Sequence, residues 1–339
     1  MSTARPVSLT SIAATADVSV STVSKVLNGR TDVAPGTRER VGRILRQQGY
    51  QVAAGSGARV VDLLIGGLGS LWADEVILGA VSAAAETGSS LVVSRFTSQE
   101  EFARQLGTVL ARGTAGAVSV LHVPGEAVLR RLADEHVPFV VIDPPTEPDG
   151  ASVLSVGTTN FQGGMAVTRH LIELGHRRIA AIGGPDRLWS SRTRLEGYRS
   201  ALRRAGLPAD EGLVRTGRLC VEDGFSEAES LLGMTAPPTA IVAANDAQAF
   251  GVLQALASRG LRAPGDVSVT GFDDLPVATW SAPPLTTVRQ PLAAMAASAF
   301  WMLARRVDSG PVGEAVRPRH MELETTLIIR DSTAPPRRT

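Results

Sequence analysis

From residue 60 onward the chain alternates short apolar runs with amphipathic stretches, and this alternation narrows the possible folds more than any other feature. "VVDLLIGGL", "SSLVVSRF", "AGAVSVL" and "VPFVVIDP" read as buried strands. Between them lie helical stretches such as "LWADEVILGAVSAAAETG", "SQEEFARQLGTVLARG" and "GEAVLRRLADEH". A second round runs through "GGMAVTRHLIELGH", "RRIAAIGG", "SRTRLEGYRSALRRAG", "PPTAIVAAND", "AQAFGVLQALASRG" and "VSVTGFDD". Repeated strand–helix units produce parallel sheets with helices on both faces. Two rounds imply two similar doubly wound lobes. The helix at 291–307 is expected to cross back to the first lobe, and "HMELETTLIIRDS" to supply closing strands. Ligands of open α/β sheets bind at the carboxyl ends of the strands, which with two lobes means the cleft between them.

The first 59 residues follow another pattern. "LTSIAATA" puts Leu9, Ile12, Ala13 and Ala16 on one face of a short helix, and a tight turn follows at Asp17-Val18. In "VSVSTVSKVLNG" the apolar residues Val23, Val26 and Leu27 stand at i, i+3 and i+4, with Ser19 as N-cap and Gly29 as stop. Hydroxyl and β-branched residues are mediocre helix formers, so this helix depends on its neighbours and its polar face is left for another use. "APGTRERVGRILRQQGY" opens with a Pro35-Gly36 break and a Thr37 cap, and buries Val41, Ile44 and Leu45. Two short helices across a tight turn, closed by a third, make an all-α helix-turn-helix unit. Residues 1–59 carry eight Lys/Arg against three acids, while the rest carries 26 against 30, so the formal net charge of +1 hides a basic head on an acidic body. That is the charge pattern of a phosphate-binding module. A solvated three-helix bundle is the bland alternative. "QVAAGSGAR", 51–59, reads as a flexible linker.

Several polar residues follow strands in the body. Asn245 and Asp246 follow "AIVAA", Asp273 and Asp274 follow "VSVTGF", and Arg192 and Arg194 follow "IAAIGGP" and a short loop. Asn160 follows "SVLSVGTT", Gln290 precedes the crossover helix, and Leu71 and Trp72 follow the first strand, on the first lobe. Carboxylates, amides and a guanidinium fork suit vicinal hydroxyls, and an aromatic face covers the apolar face of a sugar ring. Asp and Asn after a strand also cap helices. That bland reading is taken for Asp246 and Asp274, and a ligand role for Arg194, Asn245 and Asp273.

The head resembles that of the LacI/GalR-type bacterial repressors, through "SLTSIAATADVSVSTVSKVLNG" and "VAPGTRERVGRILRQQGY". By this resemblance Val20, Ser21 and Lys25 fall on positions that read bases in the major groove. Ser19, Thr22, Ser24, Asn28, Thr37 and Arg38 fall on or near phosphate-contacting positions. Asp17 departs from the Gly often found in that turn, but Asp tolerates a left-handed conformation. The linker lacks the Asn and the minor-groove Leu of the family's hinge helix. The resemblance continues to about residue 332, through "ELGHRRIAAIGGP", "SRTRLEGYRSAL", "AIVAANDAQAFGVLQAL", "VSVTGFDDLPVATWSAPPLTTVRQP" and "TTLIIRDST". It implies a body similar to periplasmic sugar-binding proteins, with Arg194, Asn245, Asp273 and Gln290 at effector-contacting positions. Asn160, Leu71 and Trp72 match such positions more loosely.

The expected organisation is a headpiece and linker at 1–59, then an effector-binding and dimerisation body at 60–332. Within the body, lobe 1 takes 60–158 plus 291–320, and lobe 2 takes 159–290 plus 321–332. A disordered tail is expected at 333–339. The expected function is a cytoplasmic, homodimeric repressor of sugar-utilisation genes, released from operator DNA by a sugar. The alternative is a regulator that needs a purine or other small metabolite as co-repressor. An enzyme is disfavoured: "IGGLGSLW" is not GxGxxG, and no Walker A, GxSxG or HExxH pattern is present. An exported sugar-binding protein would carry a signal peptide and no helix-turn-helix. Cys220 is the single cysteine and the five His are scattered, so no metal or other cofactor is expected.

Overall fold

The computed structural model describes residues 8–27, 32–48, 50, 59–148, 153–308 and 320–337. Asn28, Gly29, linker residues 51–58 and the last two residues lie outside them.

The head consists of α1 (Leu9–Thr15), α2 (Val20–Leu27) and α3 (Pro35–Gln47). Ile12, Ala13, Ala16, Val23, Val26, Val33, Val41 and Leu45 form its core, with Leu9, Leu27 and Ile44 packed against it. The i, i+3, i+4 apolar faces therefore do meet. Asp17 takes the turn at φ +49°, as its short polar side chain allows. The amide of Thr22 donates to the Ser19 hydroxyl at 3.1 Å, so Ser19 caps α2. Thr37 is not a cap. The Arg38 amide bonds the Ala34 carbonyl, which places Thr37 inside the first turn. Pro35, preset in φ and lacking an amide hydrogen, starts the helix instead.

The chain divides into two compact units, the first of which includes the head. The first holds the described residues within Met1–Leu68, Leu78–Val141 and Ala296–Pro318. It contains β1 (Arg59–Ile65), most of α4 (Leu71–Glu86), β2 (Ser89–Arg95), α5 (Gln99–Arg112), β3 (Gly116–Val120), α6 (Glu126–Asp134) and nearly all of β4 (Phe139–Ile142). Strand β1 pairs in parallel with β2 and β3, and β4 lies beside β3. Alternate burial is absent from β3 and β4, whose residues are all buried, as helix-covered parallel strands require.

The second unit holds Gly69–Ile77, Ile142–Met295 and the described residues of Arg319–Thr339. It starts earlier than residue 159, because the Asp143 amide bonds Val156 and the Trp189 amide bonds Pro145. It also takes the start of α4, with Leu71 and Trp72, which the sequence had assigned to the other lobe. Its elements are β5 (Leu154–Thr158), α7 (Asn160–Glu173), β6 (Ile179–Gly183), α8 (Trp189–Arg204), β7 (Val214–Thr216), α9 (Val221–Leu232), β8 (Ala240–Ala243) and α10 (Asp246–Ser258). There follow β9 (Ser268–Thr270), α11 (Pro276–Trp280), β10 (Thr287–Arg289), the start of α12 (Leu292–Asp308), β11 (His320–Leu323) and β12 (Thr326–Ile328). A parallel sheet runs β7-β6-β8-β9, β5 pairs with β11, and β10 pairs antiparallel with β12.

Helices α7 and α8 cross with their backbones touching. A Cβ on Gly164 would collide with the Arg194 carbonyl, and one on Gly197 with the Phe161 carbonyl. This approach brings the first residue of α7, Asn160, to the side of Arg194 on α8. Gly224 and Gly251 make the same contact between α9 and α10.

The chain beyond residue 332 is ordered through 337, not a disordered tail. Ser332 donates to the Val269 carbonyl at 2.6 Å and accepts from the Thr286 amide at 2.8 Å. His176 Nε2 donates to the Ala334 carbonyl at 2.9 Å, and Arg337 pairs with Asp266 at 2.7 Å. These partners are distant in sequence, and a Pro-rich end gives no local sign of them.

Candidate functional site

Two groups of polar side chains stand out, one in the head and one in the second unit. In the head, Ser19, Val20, Ser21 and Lys25 are exposed, while Thr22 and Ser24 are half-buried. The Ser19 hydroxyl lies 2.7 Å from that of Ser21 and 2.8 Å from that of Thr22. This hydroxyl cluster sits on the first turn of α2, where the helix dipole favours anions. Val20 is 43% exposed, an apolar side chain with no core to join. Lys25 follows one turn later and pairs with Asp32 at 2.7 Å. Arg38 donates to the Val33 carbonyl at 3.0 Å, and Thr37 is half-buried beside it. Asn28 lies outside the described residues.

In the second unit the sequence folds a set of polar residues around one buried cation. Arg194 donates through Nε to Asn160 Oδ1 and through Nη1 to the Ala244 carbonyl, each at 2.8 Å. Nη1 stands 3.7 Å from Asp273 Oδ1, and the guanidinium lies 3.8 Å over the Phe272 ring. Gln290 Nε2 donates to Asp273 Oδ1 at 2.5 Å, and Thr158 donates to Gln290 Oε1 at 2.9 Å. Asn160 closes the network by donating to the Thr158 carbonyl at 3.1 Å. All of these side chains are buried.

The electrostatics follow from that burial. Arg194 is pulled below the usual guanidinium value by desolvation, against the attraction of Asp273, Asp143 and Asp246. Desolvation pushes Asp273 up to about 7, although Arg194 and the Gln290 hydrogen bond oppose it. Asp143 is likewise raised by burial, with Arg194 and Ser190 acting in the other direction. Asp273 and Asp143 hold φ of +115° and +50°, conformations that ordinary residues avoid and that gather at functional sites. The buried Oδ1 of Asp143 has no hydrogen-bond partner among the described residues.

Four residues singled out in the sequence, Asn160, Arg194, Asp273 and Gln290, thus come together. Others do not join them. Arg192 points away on the exposed face of α8, bonds the Asp186 carbonyl at 3.2 Å, and lines a separate shallow depression of about 360 Å³. Asn245 caps α10, accepting from the Gln248 amide at 2.9 Å, and donates to the Leu219 carbonyl at 3.3 Å. Leu71 and Trp72 open α4, half-buried. The capping reading fails for both acids assigned to it. Asp246 is a buried brace that accepts from the Thr287 hydroxyl at 2.5 Å and the Leu275 amide at 2.7 Å. Asp274 pairs with Arg289 and Arg330 at 2.7 and 2.6 Å. The residues overlooked are Asp143, Thr158 and Phe272; the signal for Asp143 was an acid ending the apolar run "VPFVVID".

Residues 8–52 match the model of the lacI family of bacterial regulatory proteins, and residues 168–333 match a periplasmic binding protein-like domain. The regulator CelR of Thermobifida fusca is 35% identical over 95% of this chain and 96% of its own. The chain belongs to the LacI family of bacterial regulatory proteins. The ribose operon repressor of Escherichia coli is 32% identical over 95% of this chain and 98% of its own. Among solved structures, the CelR–cellobiose complex superposes with a TM-score of 0.73 at 33% identity, covering 97% of this chain and 100% of that one. The lac repressor dimer bound to operator and an anti-inducer gives 0.72 at 27% identity, again over 97% and 100%. As in those LacI-family relatives, a helix-turn-helix head precedes an α/β periplasmic-binding-like body, and the chain is a transcription regulator and not an enzyme. Among the described residues, no helix is long and apolar enough to cross a membrane.

Proposed function

We propose that this chain is a homodimeric repressor that reads operator DNA with α2 and releases it when a sugar occupies the Arg194 cluster. The observation that carries the effector half is the network of Asn160, Arg194, Asp273 and Gln290, together with the buried Oδ1 of Asp143, which has no partner among the described residues. Hydroxyls donate and accept at once, so a polyol satisfies carboxylates, an amide and a guanidinium together, while an apolar ligand satisfies none. The relatives support the class: one was solved with cellobiose, and another is named for the ribose operon.

In the head, Lys25 donates to a guanine edge, with Val20 and Ser21 against neighbouring bases. Ser19, Thr22, Ser24, Thr37, Arg38 and Asn28 hold phosphates, which fix register but carry no sequence information. One head spans few base pairs, so a dimer on two half-sites is needed for useful specificity, as in the lac repressor dimer on its operator. Acting on DNA, the protein works in the cytoplasm.

A thermal-shift panel of sugars and nucleobases tests the effector class. A sugar at 100 times its dissociation constant adds about 2.7 kcal/mol of stability. That shift disappears in Asp273→Asn. A shift with a purine and none with sugars would instead support a co-repressed regulator.

A further inference from the structure

One carboxylate stands in a face otherwise suited to a polyanion. Asp32, in the segment before α3, holds its Oδ2 2.7 Å from the Lys25 ammonium. The two side chains are 58% and 47% exposed. Exposed ion pairs add little stability, so the fold gains almost nothing from it. Both ends are nevertheless fixed. Lys25 lies between the core residues Val23 and Val26 on α2. Next to Asp32, Val33 is buried in the same core and its carbonyl is held by Arg38.

We propose that Asp32 is a specificity-determining positioning residue, which keeps the Lys25 ammonium off phosphates and aims it at a guanine edge. The inference rests on the reading of Lys25 as a base-contacting residue. A free surface lysine on DNA has two kinds of acceptor. Phosphates surround it at every register and bind it whatever the sequence. The guanine edge is present only at the right base. An ammonium has three N–H donors, and Asp32 occupies one of them. Guanine alone offers two adjacent acceptors, N7 and O6, in the major groove; adenine pairs its N7 with an N–H donor, and cytosine presents a donor. The Lys25–Asp32 couple carries no net charge, so it gains little from phosphates, and its carboxylate is repelled by them. Sequence-independent attraction is given up for discrimination at one base pair.

The test uses the full-length chain and an operator selected from a randomised duplex pool with the wild-type protein. Affinities are measured for that operator, for its single-position variants and for a random-sequence duplex, over a range of salt. Lys25→Ala should relax discrimination at one operator position. Asp32→Asn should relax the same position, and the double variant should relax it no further. Asp32→Asn should also tighten binding to the random duplex about fivefold and steepen its log–log salt slope by about 0.9. Asp32→Glu should restore discrimination. If Asp32→Asn changes affinity for operator, variants and random duplex by one common factor, Asp32 is only a surface charge and the proposal fails. If Lys25→Ala leaves every position as selective as before, the base-reading role of Lys25 falls, and the role of Asp32 with it.

Discussion

Lys25 and Arg194 are the cations around which the two polar sites are arranged, and their surroundings differ. Lys25 projects from α2 with about half its side chain in water and pairs with a carboxylate that is also exposed. Arg194 is buried, lies over Phe272, and is held by Asn160, the Ala244 carbonyl and Asp273. The exposed cation can change partners, because water already covers the loss of the old one. The buried cation cannot, since Asn160, the Ala244 carbonyl and Asp273 would each lose it with no water to take its place. Residues of the head's face can therefore be changed for function with little effect on the fold. In the cluster, the sugar binding proposed above would rest on the same hydrogen bonds as stability.

This contrast can be broken most readily at Arg194. Arg194→Ala leaves Asp273 and Asp143 buried without their cation and should destabilise the second unit by about 3–5 kcal/mol, read by urea denaturation. Lys25→Ala should leave that denaturation curve unmoved within about 0.5 kcal/mol while weakening operator binding by about 1–3 kcal/mol. Equal stability losses for both variants would erase the distinction.

The cluster also has a pH signature. Burial raises Asp273 from the ordinary aspartate value of 3.8 to about 7 in the folded protein. The native state then binds more protons than the unfolded state across that window, so the contribution of Asp273 favours folding at low pH and declines as pH rises through 7. Stability of wild type relative to Asp273→Asn should fall from pH 5 to pH 8, by at most about 1.4 kcal/mol per pH unit. A difference that is flat with pH would mean that Asp273 is ionised throughout. The smallest effect is expected at the head, where Ser19→Ala removes the cap of α2 for about 1 kcal/mol, measurable as faster amide exchange in α1–α3.

What could be read from the sequence depended on how local its cause was. The head was legible because Ile12, Ala13, Val23, Val26, Val41 and Leu45 sit at helical spacing and Ser19 caps its own helix. Only the start of α3 was misplaced, since Pro35 at the first helical position outranks Thr37. Asn160 and Asp273 were visible as polar residues after strands, Arg194 after a strand and a short loop, and Gln290 ahead of the crossover helix. Their neighbours were not sorted correctly, because a cap and a buried brace look alike in sequence. Asn245 is the cap, and Asp246 ties α10 to β10 through Thr287. The ordered segment after Ser332 was hidden altogether, since its partners Val269, Thr286 and His176 lie far away along the chain.

The central claim is that occupancy of the buried cluster alters what the exposed face does. It is tested most directly by titrating operator DNA with wild type and Asp273→Asn, each with and without the sugar found in the stability panel. A ligand shifts a conformational equilibrium only by its affinity difference between the two states. Couplings of this kind are typically about 1–3 kcal/mol, or 5–150-fold. The account predicts that the sugar weakens operator binding by wild type within that range and has no effect on Asp273→Asn. A mutant that responds like wild type would put the effector site elsewhere, and a sugar that tightens binding would reverse the sign of the switch.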